Sequence, residues 1–169
     1  MPLMTEHRDH RLNLAAEILR AGGVIRIRGL GASMLPSIWP GDVLVIESTA
    51  GSQIIPGEIV LVERDARFFV HRLVKRLNSH CITRGDSVPQ NDPPVDALEL
   101  LGRVAEIHRK RRVIIPEPQV SLTVRALGWM LCHYDLLRNL ALRIHAFQQN
   151  RSPGGTGHTH ETYFADCRQ

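Results

Sequence analysis

Cysteine is scarce in this sequence of 169 residues, and its distribution excludes a disulfide framework. The three cysteines, Cys81, Cys132 and Cys167, are odd in number, widely scattered and form no Cys-x-x-Cys pair. A reducing compartment is therefore the simpler expectation. Cys81 and Cys132 lie in apolar stretches, which favours a place in the core over a role as a nucleophile.

Long hydrophobic runs are also absent. No segment reaches the ~18 consecutive apolar residues that a membrane-spanning helix requires. The N-terminal stretch contains Glu6, Arg8, Asp9 and Arg11 and lacks the apolar centre of a secretion signal. We therefore expect neither a signal peptide nor a transmembrane segment, and a location in the cytoplasm or at the periphery of a membrane.

The charge of the chain has no strong bias, because the formal net charge is only +4. With 43% hydrophobic and 22% charged residues, the composition is that of an ordinary folded domain and excludes wholesale disorder. Four consecutive basic residues supply much of this excess positive charge: Arg109, Lys110, Arg111 and Arg112. Such a run is usually a solvated loop or strand end; the alternative is a peripheral docking patch for an anionic membrane or a partner protein. Nucleic acid is not the expected partner.

The hydrophobic pattern of the first two thirds of the chain predicts a helix followed by a β domain. Residues 1–22 are predicted to form an N-terminal helix that ends at Gly22-Gly23. Its apolar residues share one face: Leu12, Ala15, Ala16 and Leu19. Residues 23–115 contain short apolar runs with turns about every 8–12 residues, which indicates a compact, mainly β, antiparallel domain. A hairpin is expected across Asn78-Ser79.

The last third of the chain has a different character. Residues 116–149 are predicted to be a C-terminal helical extension, with helical periodicity over 122–147 and three arginines opposite its apolar stripe. This amphipathic helix is expected to dock on the β domain or on a partner, with a membrane surface as the alternative. Residues 150–169 contain Pro153-Gly154-Gly155 and are predicted to be a flexible tail.

Three short motifs carry the candidate chemistry. Ser33 lies in Gly31-Ala32-Ser33-Met34-Leu35-Pro36, a small-residue turn that is followed by a buried strand. His71 lies in Val70-His71-Arg72-Leu73-Val74, and two aspartates, Asp86 and Asp92, follow in one acidic loop. Serine, histidine and aspartate supply a nucleophile, a base and a group that orients the base.

These motifs resemble those of the type I signal peptidases and their relatives, the S24/S26 serine peptidases, over roughly residues 24–107. Most bacterial members pair the serine with a lysine. The segment around His71 instead resembles the branch typified by the endoplasmic-reticulum signal peptidase, in which histidine replaces lysine. Arg84-Gly85-Asp86 and Asp92 resemble the aspartate box of that branch. The resemblance implies a signal-peptidase-like β domain and a serine endopeptidase that forms an acyl-enzyme on Ser33.

The resemblance also suggests a role for each residue. His71 is the expected general base, with Asp92 slightly favoured to orient it and Asp86 favoured for local structure, although either aspartate can take the orienting role. The Ser33 backbone N–H is the expected oxyanion donor. Many relatives carry another serine where this chain has Gly31, so a side-chain donor is missing at that position.

Lys75 is the alternative base, since Val74-Lys75-Arg76-Leu77 also resembles the lysine box of the bacterial branch. It follows His71 by four residues, so regular alternation predicts that both side chains lie on the same face of a strand. We prefer His71 because its own motif fits the histidine branch and the two aspartates.

No cofactor and no metal are expected. The tail contains His158, His160, Glu161 and Cys167, but a glycine-rich tail lacks the rigid four-ligand spacing of a zinc site.

Three functions are compatible with these features. The leading prediction is a processing peptidase that cleaves after small residues in an extended peptide. The second is a self-cleaving SOS-type regulator, for which Ala21-Gly22 is a suitable bond, although it precedes Ser33 by only twelve residues. The third is a catalytically inactive β domain that serves as a binding module, which the glycine at position 31 mildly favours.

Overall fold

A computed structural model describes most of the first 119 residues and isolated positions beyond them. The described residues are 3–65, 67–78, 80–119, 126–128, 130, 139, 142–143, 145 and 162–163. Helix α1 covers Leu3–Arg20 and confirms the predicted N-terminal helix. A turn follows the helix at Gly22, whose positive φ of 86° is a conformation that favours glycine.

A mixed but predominantly antiparallel sheet follows the helix. Its strands are β1 Val24–Arg28, β2 Val43–Ser48, β3 Ile59–Arg64, β4 Arg67–Arg76, β5 His80–Arg84, β6 Val95–Asp96, β7 Leu100–Arg109, β8 Arg112–Ile114 and β9 Thr162–Tyr163. The order across the sheet is β6-β5-β4-β3-β7-β2-β1-β9, and β8 pairs with β7. Within the described residues only the two-residue β9 pairs in parallel, with β1. The predicted antiparallel β domain is therefore confirmed, including the β4–β5 hairpin.

Both faces of the central sheet are buried. Along β3, Ile59 and Leu61 point into a core shared with helix α1, whereas Val60 and Val62 point into a second cluster. This arrangement explains why β3 is a continuous apolar run, because alternation disappears in a strand that is covered on both sides. Cys81 belongs to the second cluster, as its sequence context predicts.

Helix α1 packs on the first core through the face that its periodicity identifies. Leu12, Ala16 and Leu19 follow one another at spacings of three or four residues, and all three are buried. Leu14 and Ile18 remain exposed on other sides of the helix. Among the described residues, no helix combines the length and the apolar character needed to cross a membrane.

The predicted helix at 122–147 lies largely outside the described residues, as does the tail apart from β9. The positions that are described between 126 and 145 have helical backbone. Two of them contact the β domain. A Cβ atom on Gly128 would lie 2.8 Å from the carbonyl oxygen of Asp86, and the His145 ring centroid lies 4.8 Å from that of Trp39. These contacts place Gly128 and His145 against the β domain, beside the loops that follow β1 and β5.

Replacing Gly102 by alanine is predicted to destabilise the sheet. Gly102 lies in the central strand β7, and a Cβ atom there would come within 2.2 Å of the Glu47 carbonyl oxygen. Because a backbone atom cannot rotate away, we expect Gly102→Ala to lower the free energy of unfolding by about 3 kcal/mol or more. Urea denaturation followed by circular dichroism measures this loss.

Gly22→Ala provides the matched control. Gly22 has a positive φ of 86° but no atom within 4 Å of the position of a Cβ, so only backbone strain applies. Its expected cost is about 1–2 kcal/mol. A smaller loss for Gly102→Ala than for Gly22→Ala would contradict the close packing of β7 against β2.

Candidate active site

Ser33 lies in the loop between β1 and β2, and backbone hydrogen bonds close this loop at its base. Gly29 N–H donates to the Asp42 carbonyl at 2.9 Å, and Gly41 N–H donates to the Gly29 carbonyl at 2.7 Å. Met34 and Leu35, which follow the serine directly, are buried. The loop is thus fixed both at its ends and next to Ser33.

The Asp42 carboxylate holds the second half of this loop. It is only 2% exposed, accepts a hydrogen bond from Trp39 N–H at 2.8 Å and pairs with Arg109 at 2.7 Å. Arg109 also donates to the Ser37 carbonyl at 2.9 Å. One member of the predicted basic docking run therefore makes internal contacts, whereas Lys110 and Arg111 are exposed in the turn between β7 and β8.

Strand β4 brings His71 to the serine loop. Its Nε2 atom lies 3.1 Å from Ser33 Oγ, and its Nδ1 atom lies 2.6 Å from Asp92 Oδ2. The side chains of His71 and Asp92 are 13% and 18% exposed, so both are largely shielded from water. A hydroxyl on one ring nitrogen and a carboxylate on the other is the arrangement that activates a serine.

Thr83 holds the Asp92 carboxylate from the side of β5. Its Oγ1 donates to Asp92 Oδ2 at 2.6 Å, and its carbonyl accepts from Asp92 N–H at 2.9 Å. Burial by itself raises the pKa of the Asp92 carboxyl, but hydrogen bonds from His71 and Thr83 and the positive charges of His71 and Arg64 outweigh burial. The pKa of Asp92 therefore lies below the ordinary value for a carboxyl group.

Asp86 faces Arg72 instead of His71. Arg72 donates from Nε to one carboxylate oxygen at 2.8 Å and from Nη2 to the other at 2.7 Å. The Ser37 hydroxyl is a further donor to Asp86, and Arg72 Nη1 donates to the Gly57 carbonyl at 2.6 Å. Of the two predicted aspartates, Asp92 therefore contacts His71, whereas Asp86 contacts Arg72.

Lys75 does not share the face of His71, so that part of the sequence prediction is wrong. Leu73 pairs with Thr83 whereas Lys75 pairs with Ile82, so β4 advances by two residues while β5 advances by one. This β-bulge inserts one extra residue into β4. Odd-numbered side chains before the bulge therefore lie on the same face as even-numbered side chains after it, which puts Lys75 on the opposite face from His71. Lys75 is exposed, and among the described contacts none joins it to Ser33.

The backbone around Ser33 is fastened to the loop that contains Asp86. Ser87 N–H donates to the Ser33 carbonyl at 2.9 Å, and the buried Ser87 hydroxyl donates to the Ala32 carbonyl at 2.7 Å. A Cβ atom on Gly85 would lie 2.6 Å from the Ser33 carbonyl oxygen, so this approach requires glycine. Within the described part of the chain, no backbone carbonyl accepts from Ser33 N–H, the predicted oxyanion donor.

Several residues of the site were not predicted from the sequence. The Ser37 hydroxyl donates to Asp86 and the Thr83 hydroxyl donates to Asp92. Ser87 donates from its backbone N–H to the Ser33 carbonyl. Isolated serines and threonines carry no local signal for such contacts, although Thr83 precedes the Gly85-Asp86 motif by only two residues.

The described residues contain no group of three or more His, Cys, Asp or Glu side chains that could hold a metal ion. The histidines and the cysteine of the tail, at positions 158, 160 and 167, lie outside the described residues. The expectation that they bind no metal stays a prediction.

The fold and the arrangement of Ser33, His71 and Asp92 correspond to a peptidase-type β domain. A family model described as Peptidase S24-like matches residues 2–104, which is more than half of the chain. The protein therefore belongs to the Peptidase S24-like family. The matched region includes Ser33, His71, Asp86 and Asp92. A comparison with curated proteins finds no match.

The two aspartates are predicted to differ in their contribution to stability. Asp86→Ala leaves the Arg72 guanidinium, whose side chain is 12% exposed, without its carboxylate partner. We expect a loss of about 3 kcal/mol in the free energy of unfolding, as for other broken buried ion pairs. Asp92→Ala removes the acceptor of one imidazole N–H and one hydroxyl, with an expected loss of about 1 kcal/mol. Urea denaturation at pH 7 measures both, and a larger loss for Asp92→Ala would contradict this assignment.

Acid sensitivity of the fold provides a second test of Asp92. Its folded-state pKa lies below the unfolded value of about 3.9, so the stability it contributes is present above that pH and is lost as pH falls through the folded pKa. The stability difference between wild type and Asp92→Asn is therefore expected to shrink as pH falls from about 5 to below about 3. Denaturation curves at a series of pH values measure it, and a difference independent of pH would contradict the lowered pKa.

Proposed function

We propose that the protein is a serine endopeptidase of the signal-peptidase type, in the branch that uses histidine as the base. One observation carries this proposal. The His71 ring lies between the Ser33 hydroxyl and the Asp92 carboxylate, at 3.1 Å and 2.6 Å. Membership of the S24-like family supports the same reaction class.

The geometry supports a two-step acyl transfer. His71 Nε2 accepts the proton of the Ser33 hydroxyl while Oγ attacks the peptide carbonyl carbon. Ser33 N–H donates to the resulting oxyanion, and the Asp92 carboxylate stabilises the imidazolium through Nδ1–H. When the C–N bond breaks, His71 returns the proton to the leaving amine. Water, deprotonated by the same nitrogen, then hydrolyses the acyl-enzyme and restores the Ser33 hydroxyl.

The substrate is an extended peptide that adds to the edge of β4. Strand β5 pairs with β4 only from Arg72 onward, and β3 is the only described strand that pairs with Val70 and His71. A peptide bound along this edge by backbone hydrogen bonds would run past His71 towards Ser33. Cleavage after small residues is the specificity that the resemblance implies.

Location and partners form a separate part of the proposal. We propose that the enzyme acts in the cytoplasm or at the periphery of a membrane. The exposed basic residues Lys110, Arg111 and Arg112 are available to dock on an anionic membrane or a partner protein, whereas Arg109 is engaged with Asp42.

The decisive experiment compares protein N-termini in source cells carrying wild type, Ser33→Ala, His71→Ala or Lys75→Ala. We expect a set of N-termini that is lost with Ser33→Ala and His71→Ala and kept with Lys75→Ala, because only the first two side chains meet in the site. Peptides that span these sites then test the purified proteins, with an expected loss in turnover of about 10⁴-fold or more for Ser33→Ala. Cleavage that is unchanged in Ser33→Ala would refute the proposal.

Self-cleavage at Ala21-Gly22 receives no support from the fold. This bond lies in the turn before β1, whereas Ser33 follows the opposite end of that strand. The strand alone spans roughly 13 Å. Gly23 also accepts a hydrogen bond from Ser48 N–H at 3.1 Å, which ties the turn to β2. An intramolecular attack would therefore require β1 to detach from the sheet.

Intact mass after incubation at alkaline pH tests this prediction. We expect the mass of the wild-type chain to stay unchanged, with Ser33→Ala as the control for background hydrolysis. A Ser33-dependent product that begins at Gly22 would establish the self-cleaving regulator instead. A binding module without catalysis is disfavoured by the alignment of Ser33, His71 and Asp92, which binding alone does not require.

A further inference from the structure

Asp92 lies in an irregular segment, so its position depends on side-chain contacts and not on a strand ladder. The segment runs from the end of β5 to the start of β6 and has no regular hydrogen-bonding pattern at Asp92. One bond ties its backbone to the sheet, from Asp92 N–H to the Thr83 carbonyl at 2.9 Å. That bond fixes the Cα atom but leaves the carboxylate able to rotate.

The Thr83 hydroxyl removes this freedom. Thr83 is fully buried in β5, opposite Leu73 of β4, and its Oγ1 lies 2.6 Å from Asp92 Oδ2. The same oxygen accepts from His71 Nδ1 at 2.6 Å. A carboxylate oxygen can accept two such bonds, and rotation of the carboxylate would strain both of them.

Arg64 restrains the backbone immediately beyond Asp92. Its Nη2 donates to the Pro94 carbonyl at 2.5 Å, while Nε and Nη2 each lie 3.0 Å from a carboxylate oxygen of Glu99. Because Pro93 and Pro94 have no N–H, this segment can be held only through its carbonyls and side chains. Asp92 is therefore restrained from β5 by Thr83 and from β3 by Arg64.

We propose that Thr83 is a positioning residue, whose hydroxyl holds the Asp92 carboxylate so that His71 keeps its proton on Nδ1 and presents a free Nε2 to Ser33. This inference rests on the proposed peptidase function. The charged and titratable groups that face Asp92 are His71 from β4 and Arg64 from β3. The hydrogen bond from Thr83 is also one of the causes that keep the pKa of Asp92 low.

Thr83→Val tests the proposal by removing the hydroxyl while keeping the branched shape of the side chain. We expect kcat for a peptide substrate to fall about ten- to a hundredfold, the size expected for a lost hydrogen bond to a charged group, with KM unchanged. Thr83→Ser retains the hydroxyl and should restore most of the turnover. Equal losses in the valine and serine variants would overturn the proposal, because they would show that packing and not the hydroxyl matters.

A double-mutant cycle distinguishes positioning from a general loss of structure. If Thr83 acts through Asp92, Thr83→Val should change the residual turnover of Asp92→Ala by less than about twofold. A further loss as large as in the wild-type background would overturn the proposal. If Thr83→Val does not fold, Thr83→Ala replaces it in the same cycle.

A spectroscopic measurement keeps the inference testable even if the proposed reaction is wrong. Nitrogen-15 NMR of histidine-labelled protein reports which ring nitrogen of His71 is protonated, with His71→Gln used for assignment. We expect mainly the Nδ1–H form in wild type and Thr83→Ser, and a larger share of the Nε2–H form in Thr83→Val. An unchanged ratio in Thr83→Val would overturn the positioning role. Peptide cleavage that survives Ser33→Ala would instead refute the peptidase function alone.

Discussion

The ion pair between Arg72 and Asp86 is the contact on which the site depends. Arg72 follows His71 on β4, and its guanidinium reaches the Asp86 carboxylate, the Ser37 hydroxyl and the Gly57 carbonyl. These groups come from three different loops, so one side chain fixes their relative positions. Because the pair is largely shielded from water, losing either partner leaves an uncompensated charge. The contact between Arg72 and Asp86 therefore stabilises the site only when both residues are present.

The two aspartates show how surroundings assign different roles to identical side chains. Asp86 faces an arginine, which stays charged at every relevant pH, and its carboxylate is therefore permanently engaged. Asp92 faces a histidine, which can gain and lose a proton, and a hydroxyl that only donates to it. A carboxylate next to a titrating base can stabilise charge that develops during a reaction, whereas one bound to arginine is restricted to holding structure.

Much of the architecture followed from local patterns. The spacing of Leu12, Ala16 and Leu19 identified the buried face of α1, and the turn signal at Asn78-Ser79 located the β4–β5 hairpin. The regular alternation that linked His71 with Lys75 failed, because a bulge after Leu73 shifts the strand by one residue. A bulge is a matter of pairing between strands, and the β4 sequence alone carries no mark of it. The contact of Arg109 with Asp42 was missed for a similar reason, since the two are far apart in the chain.

The sequence by itself determined the antiparallel β class, the N-terminal helix, and a serine, a histidine and aspartates in an order that resembles one peptidase family. Those features depend on residue type and on near neighbours, which a linear pattern records. Only the tertiary structure decided that Asp92 and not Asp86 contacts His71, and that Thr83 holds Asp92. The physical reason is that a hydrogen bond between distant segments depends on strand register and loop closure to within a fraction of an ångström. Those quantities are set by how the whole sheet packs.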